Sequence, residues 1–240
     1  MDDKIIKGVE LGRRMESYED AYRVYLPRRL PLIVRVDGRA FHTLTRQFQK
    51  PWDVVIRDAM VHAAIRLMDE AQGAKLAYTY SDEISMLLTD YDDLNTEAWF
   101  GKNLQKITSV SASIAAVAFN QGSLSWNLNG TFDARAFIVP REDVCNYFIW
   151  RQRDCERNSI AGLAQAHFPH KSLQKLNSSQ LQDKLMLEAG VNWSACQTWQ
   201  KRGIVITRGE GGSVSDYEVP KFTTDRKFIE RFVELDREHA

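Results

Sequence analysis

Apolar positions along the chain repeat with a period that alternates between helical and extended. Leu11, Met15, Tyr18, Tyr22 and Tyr25 step by three or four residues and predict a helix over 9–25. Arg28, Arg29 and Pro31 end it. Leu32, Ile33, Val34 and Val36 then form a short apolar run that stops at Asp37 and Gly38, the pattern of a buried strand. A polar loop over 43–50 leads to Pro51 and a second helix with Asp53 in its first turn. Ile56, Met60, Ala63, Ala64, Leu67, Met68 and Ala71 give that helix one apolar face, and Gly73 is its expected stop. Residues 75–88, KLAYTYSDEISMLL, read as two half-strands around the polar trio Ser81, Asp82 and Glu83. A long helix is expected from about Thr96 to Phe119, with small residues suited to close packing on a sheet. A loop rich in Asn, Gly and Ser follows, and TFDARAFIVP at 131–140 is a fourth strand.

The order strand, helix, strand, strand, helix, strand predicts an α+β fold. It is the split βαβ arrangement, an antiparallel sheet with helices on one face. The remaining residues, 141–240, are expected to be mainly helical. They hold a second helix at about 178–189, a short strand at 203–209 and an amphipathic tail with Phe228, Ile229, Phe232 and Leu235 on one side. The expected division is a catalytic domain over 1–140 and a helical region over 141–240.

Composition narrows the possibilities. Hydrophobic residues make up 44% and charged residues 27%, as in ordinary globular proteins. No apolar run approaches the length of a membrane span, and the N-terminus is too polar for a secretory signal. Cys145, Cys155 and Cys196 are odd in number and widely spaced, which points to reduced thiols in a cytoplasmic protein. His167 and His170 lie near Cys155 without a fourth partner for zinc. The glycine patterns of Rossmann and P-loop nucleotide sites are missing, and no Ser-His-Asp set can be argued from order. Net charge is zero, yet 141–208 is mildly basic, which would suit a polyanion or a solvated helix face equally.

Candidate chemistry sits at the ends of the strands. In the split βαβ topology the first strand lies beside the central hairpin, so Asp37 and Asp82 would meet. Two close carboxylates resist ionising together, and a divalent ion between them removes that penalty. Mg²⁺ favours one or two carboxylates with water and substrate phosphates, and two such ions can clamp both oxygens of an in-line phosphoryl or nucleotidyl transfer. Asp37 and Asp82 are therefore expected to hold two Mg²⁺ ions, with the Gly38 carbonyl as a further ligand and Glu83 as a lesser catalytic candidate. Arg39, Lys50 and Lys106 could neutralise a triphosphate, and Ser81 and His42 could donate to its oxygens. Each of these taken singly could equally be a surface charge or a turn hydroxyl.

The segments RVDGRAFH, QKPWD, AYTYSDEISMLL, KITSVSASIAAVAFN, FDARAFIVP and WRQRDCERNS occur in fixed order from about residue 5 to 175. Together they resemble the tRNA-histidine guanylyltransferase superfamily, the 3′-to-5′ nucleotide-adding polymerases, whose catalytic domain is similar to a polymerase palm. The resemblance implies that Asp37, Gly38 and Asp82 hold the metal ions. It implies that the turn Asp37, Gly38, Arg39, Ala40, Phe41 and His42, with Ser81, holds nucleotide phosphates, and that Lys50 and Lys106 lie near the triphosphates. ATP or GTP would activate a tRNA 5′-monophosphate, and the 3′-OH of an incoming NTP would attack the activated end. Members assemble as tetramers, dimers of dimers, and the basic segment with Arg151, Arg153, Arg157, Asn158, Lys171 and Lys175 would contribute to the tRNA surface. Where eukaryotic members that act on histidine tRNA continue His-Ile-Asn-Asn after WRQ-x-DC, this chain has Glu156-Arg157-Asn158-Ser159. It therefore resembles the Thg1-like branch, associated with templated repair of 5′-truncated tRNAs. A nucleotide cyclase or dinucleotide synthase on the same topology, and a non-catalytic tRNA-binding protein, are the alternative readings.

Overall fold

The computed structural model describes residues 3–234. Helix α1 (Asp3–Asp20) precedes strand β1 (Leu32–Arg39), the short helix α2 (Phe41–Leu44), helix α3 (Val54–Glu70), and strands β2 (Ala74–Tyr80) and β3 (Glu83–Leu88). Helix α4 (Leu104–Gly122), strand β4 (Thr131–Ile138) and the long helix α5 (Arg141–His167) follow. The chain continues through α6 (Ser178–Ala189), α7 (Thr198–Arg202), β5 (Ile204–Gly209), β6 (Gly212–Asp216) and α8 (Lys227–Glu230).

The predicted strand-helix alternation is present, and the four expected strands form one antiparallel sheet in the order β4-β1-β3-β2. The sheet does not end there. Strand β5 pairs with β2, and β6 pairs with β5, so the C-terminal region adds two strands to the same sheet. Alternation along each strand serves two cores. Val34, Val36, Ile84 and Met86 face α3 and α4, whose Met60, Leu67, Ile107, Ala115 and Phe119 pack on them. Ile33, Leu76, Tyr78, Leu87 and Val205 face α5, packing with Val144, Phe148, Phe222 and Ile229. Helices thus cover both faces of the sheet, because α5 folds back over the side left open by α3 and α4. The far half of α5 packs with α6 through Ile160, Leu163, Leu181 and Leu185.

Boundaries differ where backbone geometry intervenes. The helix expected from Thr96 begins only at Leu104, capped by Asn103, because Phe100, Gly101 and Lys102 all adopt left-handed conformations. In the tail, α8 spans only Lys227–Glu230, with Ile229 in the core, and Leu235 lies outside the described residues. The stripe on α1 does not face the chain's own core. Every residue from 11 to 20 is exposed, including Leu11, Met15 and Tyr18.

Behind the left-handed turn, Lys102 is buried with its Nζ donating to Pro27 O (2.8 Å), Leu30 O (2.8 Å) and Asp90 (3.0 Å). It ties the segment entering β1 to the loop leaving β3. Replacing it (Lys102→Ala) leaves a buried carboxylate and two carbonyls short of a donor, and is expected to cost about 3–5 kcal/mol in urea unfolding.

Candidate active site

Pairing of β1 with β3 sets Asp37 directly opposite Glu83, and the Gly38 N–H donates to Asp82 O at 2.9 Å. The end of β1 and the tip of the β2–β3 hairpin are therefore one piece. Ser81 takes a left-handed conformation (φ 51) that sharpens the tip, and its hydroxyl donates to the Asp82 carboxylate at 2.9 Å. Burial pushes the Asp82 carboxyl up, hydrogen bonds from Ser81 and its own backbone pull it back, and the nearby charge of Asp37 adds to the rise. Gly38 is required here: a Cβ would stand 2.3 Å from the Phe41 ring, which is buried against Phe119 and Phe132. Ala40, in the left-handed region, turns the chain into α2.

A cavity of about 400 Å³ opens beside the hairpin tip. Phe41, His42, Lys50, Ser81 and Asp82 line it, so five of the residues expected at the nucleotide site share one space, whereas Asp37, Gly38 and Ala40 lie outside its lining. Lys50 reaches Thr45 Oγ1 at 3.0 Å. The cavity continues between Trp52, Arg57, Asn158 and Trp199, with the Arg57 guanidinium 4.8 Å from the Trp199 ring. Asn158 thus faces the cavity at the α5 wall. Arg39 is exposed at the end of β1, outside this lining.

Three expectations are corrected by placement. Glu83 is buried and accepts from Arg151 Nε at 2.7 Å and Arg151 Nη2 at 2.6 Å. Its side chain is fully engaged on the α5 side of the sheet, away from the cavity. Arg151 is equally buried, so it is not a tRNA-surface residue. Burial opposes its charge, yet Glu83, with Tyr80 and Asp154 behind it, more than compensates and holds the guanidinium protonated. Tyr80 in turn donates to Asp154 at 2.6 Å. Lys106 lies at the wrong end of α4. That helix begins beside the entry to β1, where Leu104 N donates to Val24 O at 2.9 Å, whereas its Phe119 end packs near Gly38. Thirteen residues of helix put Lys106 about 20 Å from Phe119. Arg153, Arg157, Lys171 and Lys175 are exposed, with Arg157 also donating to Asp154 at 2.6 Å.

Sequence reasoning missed the side chains flanking Asp37. Asp133 on β4 is its register partner, and Arg35 and Arg135 approach its carboxylate at 3.8 and 4.0 Å. The alternation Asp133, Arg135, Phe137 beside Arg35, Asp37 carried this signal, but only strand pairing tells which residues share a row. Among the described residues, no three His, Cys, Asp or Glu gather as a ready metal cluster. The donor set expected from the sequence is the Asp37 and Asp82 carboxylates and the Gly38 carbonyl, with burial making Asp82 resist ionisation. That chemistry fits a hard divalent ion that retains water and phosphate ligands.

A sheet of this order, carrying paired carboxylates at adjoining strand ends beside a cavity lined by a cation and hydroxyls, is the architecture of a nucleotidyl-transfer enzyme. The family model described as "Thg1: tRNAHis guanylyltransferase" matches residues 12–140. This chain belongs to that tRNAHis guanylyltransferase family and is a nucleotidyltransferase. It is 29% identical to the tRNA(His) guanylyltransferase of Debaryomyces hansenii over 226 residues, 82% of each chain. Its structure is similar to that of a bacterial tRNA(His) guanylyltransferase (Thg1)-like protein in complex with ATP. The TM-score is 0.91 and identity 47%, over 94% of this chain and all of the other. A bacterial Thg1-like protein in complex with GTP is similar at a TM-score of 0.81 and 42% identity, over the same shares.

The Arg151 grip is a structural element of this site. Arg151→Met leaves Glu83 charged and unpaired in the interior and is expected to lower stability by about 3–5 kcal/mol. The double variant Glu83→Gln with Arg151→Met should recover part of that loss in a chemical-denaturation cycle.

Proposed function

We propose that this protein is a Mg²⁺-dependent 3′-to-5′ nucleotidyltransferase that rebuilds the 5′ end of truncated tRNA, copying the opposite strand. The observation that carries the reading is the joining of the β1 end to Asp82, with the Asp37 charge close by, where Asp82 lines a cavity furnished with His42, Lys50 and Ser81. Asp37, Asp82 and the Gly38 carbonyl would hold two Mg²⁺ ions, which when bound supply charge stabilisation for the attacking and departing oxygens. The cavity would take the activating ATP or GTP, consistent with the ligands of the similar bacterial proteins. Lys50, His42 and Ser81 would engage its phosphates, with Arg39 and the backbone from Gly38 to Phe41 on the approach. The tRNA 5′-monophosphate attacks the α-phosphorus of that nucleotide and expels pyrophosphate. The 3′-OH of the incoming NTP then attacks the activated 5′-phosphate and expels the nucleoside monophosphate.

Base pairing with the facing strand selects the added nucleotide, so no side chain at the hairpin tip needs to read a base. Glu156-Arg157-Asn158-Ser159, in place of the histidine-tRNA pattern, favours repair over fixed G addition. Residues 1–140 carry the chemistry in this reading. The region 141–240 contributes the tRNA surface through Arg153, Arg157, Lys171 and Lys175. Unpaired cysteines, and the lack of any helix long and apolar enough to cross a membrane among the described residues, support a cytoplasmic setting.

Addition is tested with a labelled NTP and a tRNA lacking its first nucleotide. Asp37→Ala and Asp82→Ala should each abolish incorporation while leaving the melting temperature within a few degrees. Varying the opposing base should switch which NTP is incorporated. Full activity in both variants would sink the metal assignment, and G addition regardless of the opposing base would sink templated repair.

The protein is further proposed to act as a homo-oligomer, a tetramer built as a dimer of dimers, with α1 at the interface. Most helical stability in proteins comes from packing an amphipathic face, so an 18-residue helix with exposed Leu11, Met15 and Tyr18 is expected to find a covering surface. The triple variant Leu11→Glu, Met15→Glu, Tyr18→Glu should lower the mass measured by light scattering to that of smaller species. An unchanged tetramer would remove α1 from the interface.

A further inference from the structure

The sheet face around Asp37 carries two groups that the reading so far leaves unused. Arg135 on edge strand β4 stands in register with Arg35 on β1, one row along from Asp133 and Asp37. Its side chain is 55% exposed, and its contacts are weak: 3.5 Å to Asp133 and 4.0 Å to Asp37. A guanidinium holds five donors, so most of those of Arg135 remain open to an anion. The second group is Trp150 on α5, which is 49% exposed although it adjoins the buried Arg151. The Arg151 guanidinium lies 4.4 Å from the indole, and the Tyr147 ring meets it edge-on at 5.9 Å. Tyr147 is itself anchored. Its hydroxyl pairs with Ser85 at 2.8 Å, its ring meets Phe137 of β4 at 5.8 Å, and Ser85 stands opposite Arg35. The indole is therefore braced by Arg151 and by Tyr147, which itself sits on Ser85 in the row Arg135, Arg35, Ser85, and part of its surface is left to solvent.

An exposed, braced indole and a guanidinium with open donors on the same sheet face have the chemistry of a single-strand or helix-end RNA platform. A base stacks on the ring without regard to sequence, and a phosphate takes the guanidinium. We propose that Trp150 stacks on the base at the truncated 5′ end of the RNA, and that Arg135 receives the adjoining 5′-phosphate and holds it beside Asp37. This rests on the reading of an RNA 5′ end as acceptor. It accounts for how a templated enzyme can hold an end whose terminal base has lost its stacking neighbour. The sequence tolerance of stacking matches selection of the nucleotide by base pairing alone.

The test uses the full-length protein and an acceptor hairpin lacking its first nucleotide, with 2-aminopurine as the base at its truncated 5′ end. In wild type, binding should quench the 2-aminopurine fluorescence. Trp150→Ala should abolish the quench and weaken hairpin binding about 5- to 150-fold, while leaving MgATP affinity unchanged. Trp150→Phe should restore most of both, which separates stacking from a folding defect. Arg135→Gln should erase the preference of wild type for a 5′-phosphorylated over a 5′-hydroxyl hairpin, with the quench retained. An undiminished quench in Trp150→Ala, or an intact phosphate preference in Arg135→Gln, overturns the respective assignment. If wild type extends the hairpin and these results fail, only the platform is lost. If wild type neither binds nor extends any truncated RNA, the acceptor reading falls and the platform with it.

Discussion

Arg151 holds Glu83 in a two-pronged, charge-assisted pair inside the protein, and Glu83 sits across the β1–β3 ladder from Asp37. Removing either partner would leave an uncompensated charge in the interior, so the hairpin tip has one permitted position. That position is transmitted along the backbone. Asp82 immediately precedes Glu83 in the chain, and the Gly38 N–H donates to the Asp82 carbonyl. Asp82 lies in the turn between β2 and β3, and that turn is held by a ladder pinned from the far face of the sheet.

The sheet separates two tasks by its pleat. Side chains on the α3 and α4 face are apolar almost throughout and supply the core. On the other face, the inner rows are apolar beneath α5, and the outer rows toward the hairpin tip turn ionic: Asp133, Asp37, Glu83, then Arg135, Arg35, Ser85. The transition falls where α5 changes from covering the sheet to meeting α6. One strand end thus carries chemistry because the opposite end carries enough burial to hold the ladder still.

Helix α5 connects the halves of the molecule. Its first turns close the second core, Arg151 and Asp154 secure the hairpin, Asn158 walls the cavity, and its last turns pack on α6. The two strands that follow join the sheet at β2, so residues after 140 complete the layer beneath the site. The covalent order of the chain places them last, whereas their packing makes them part of the frame that positions Asp82.

The chain's periodicity determined most of the core elements, because a strand such as LIVRV or a helix face such as Met60, Ala64, Leu67 records its burial locally. Asp37 and Asp82 were also legible, as polar residues that interrupt apolar runs at strand ends. What periodicity could not record is which side of an element finds a partner. The stripe on α1 reads like a core face and is exposed, since a pattern states a preference for burial without naming what covers it. Distance along the chain likewise hid the difference between Lys50, which reaches the cavity, and Lys106, which sits at the far end of its helix. The pairing of Glu83 with Arg151, and the Asp133 and Arg135 row, depend on register across strands and on the path of α5. Those are long-range choices, decided when the whole sheet and its covering helices settle together.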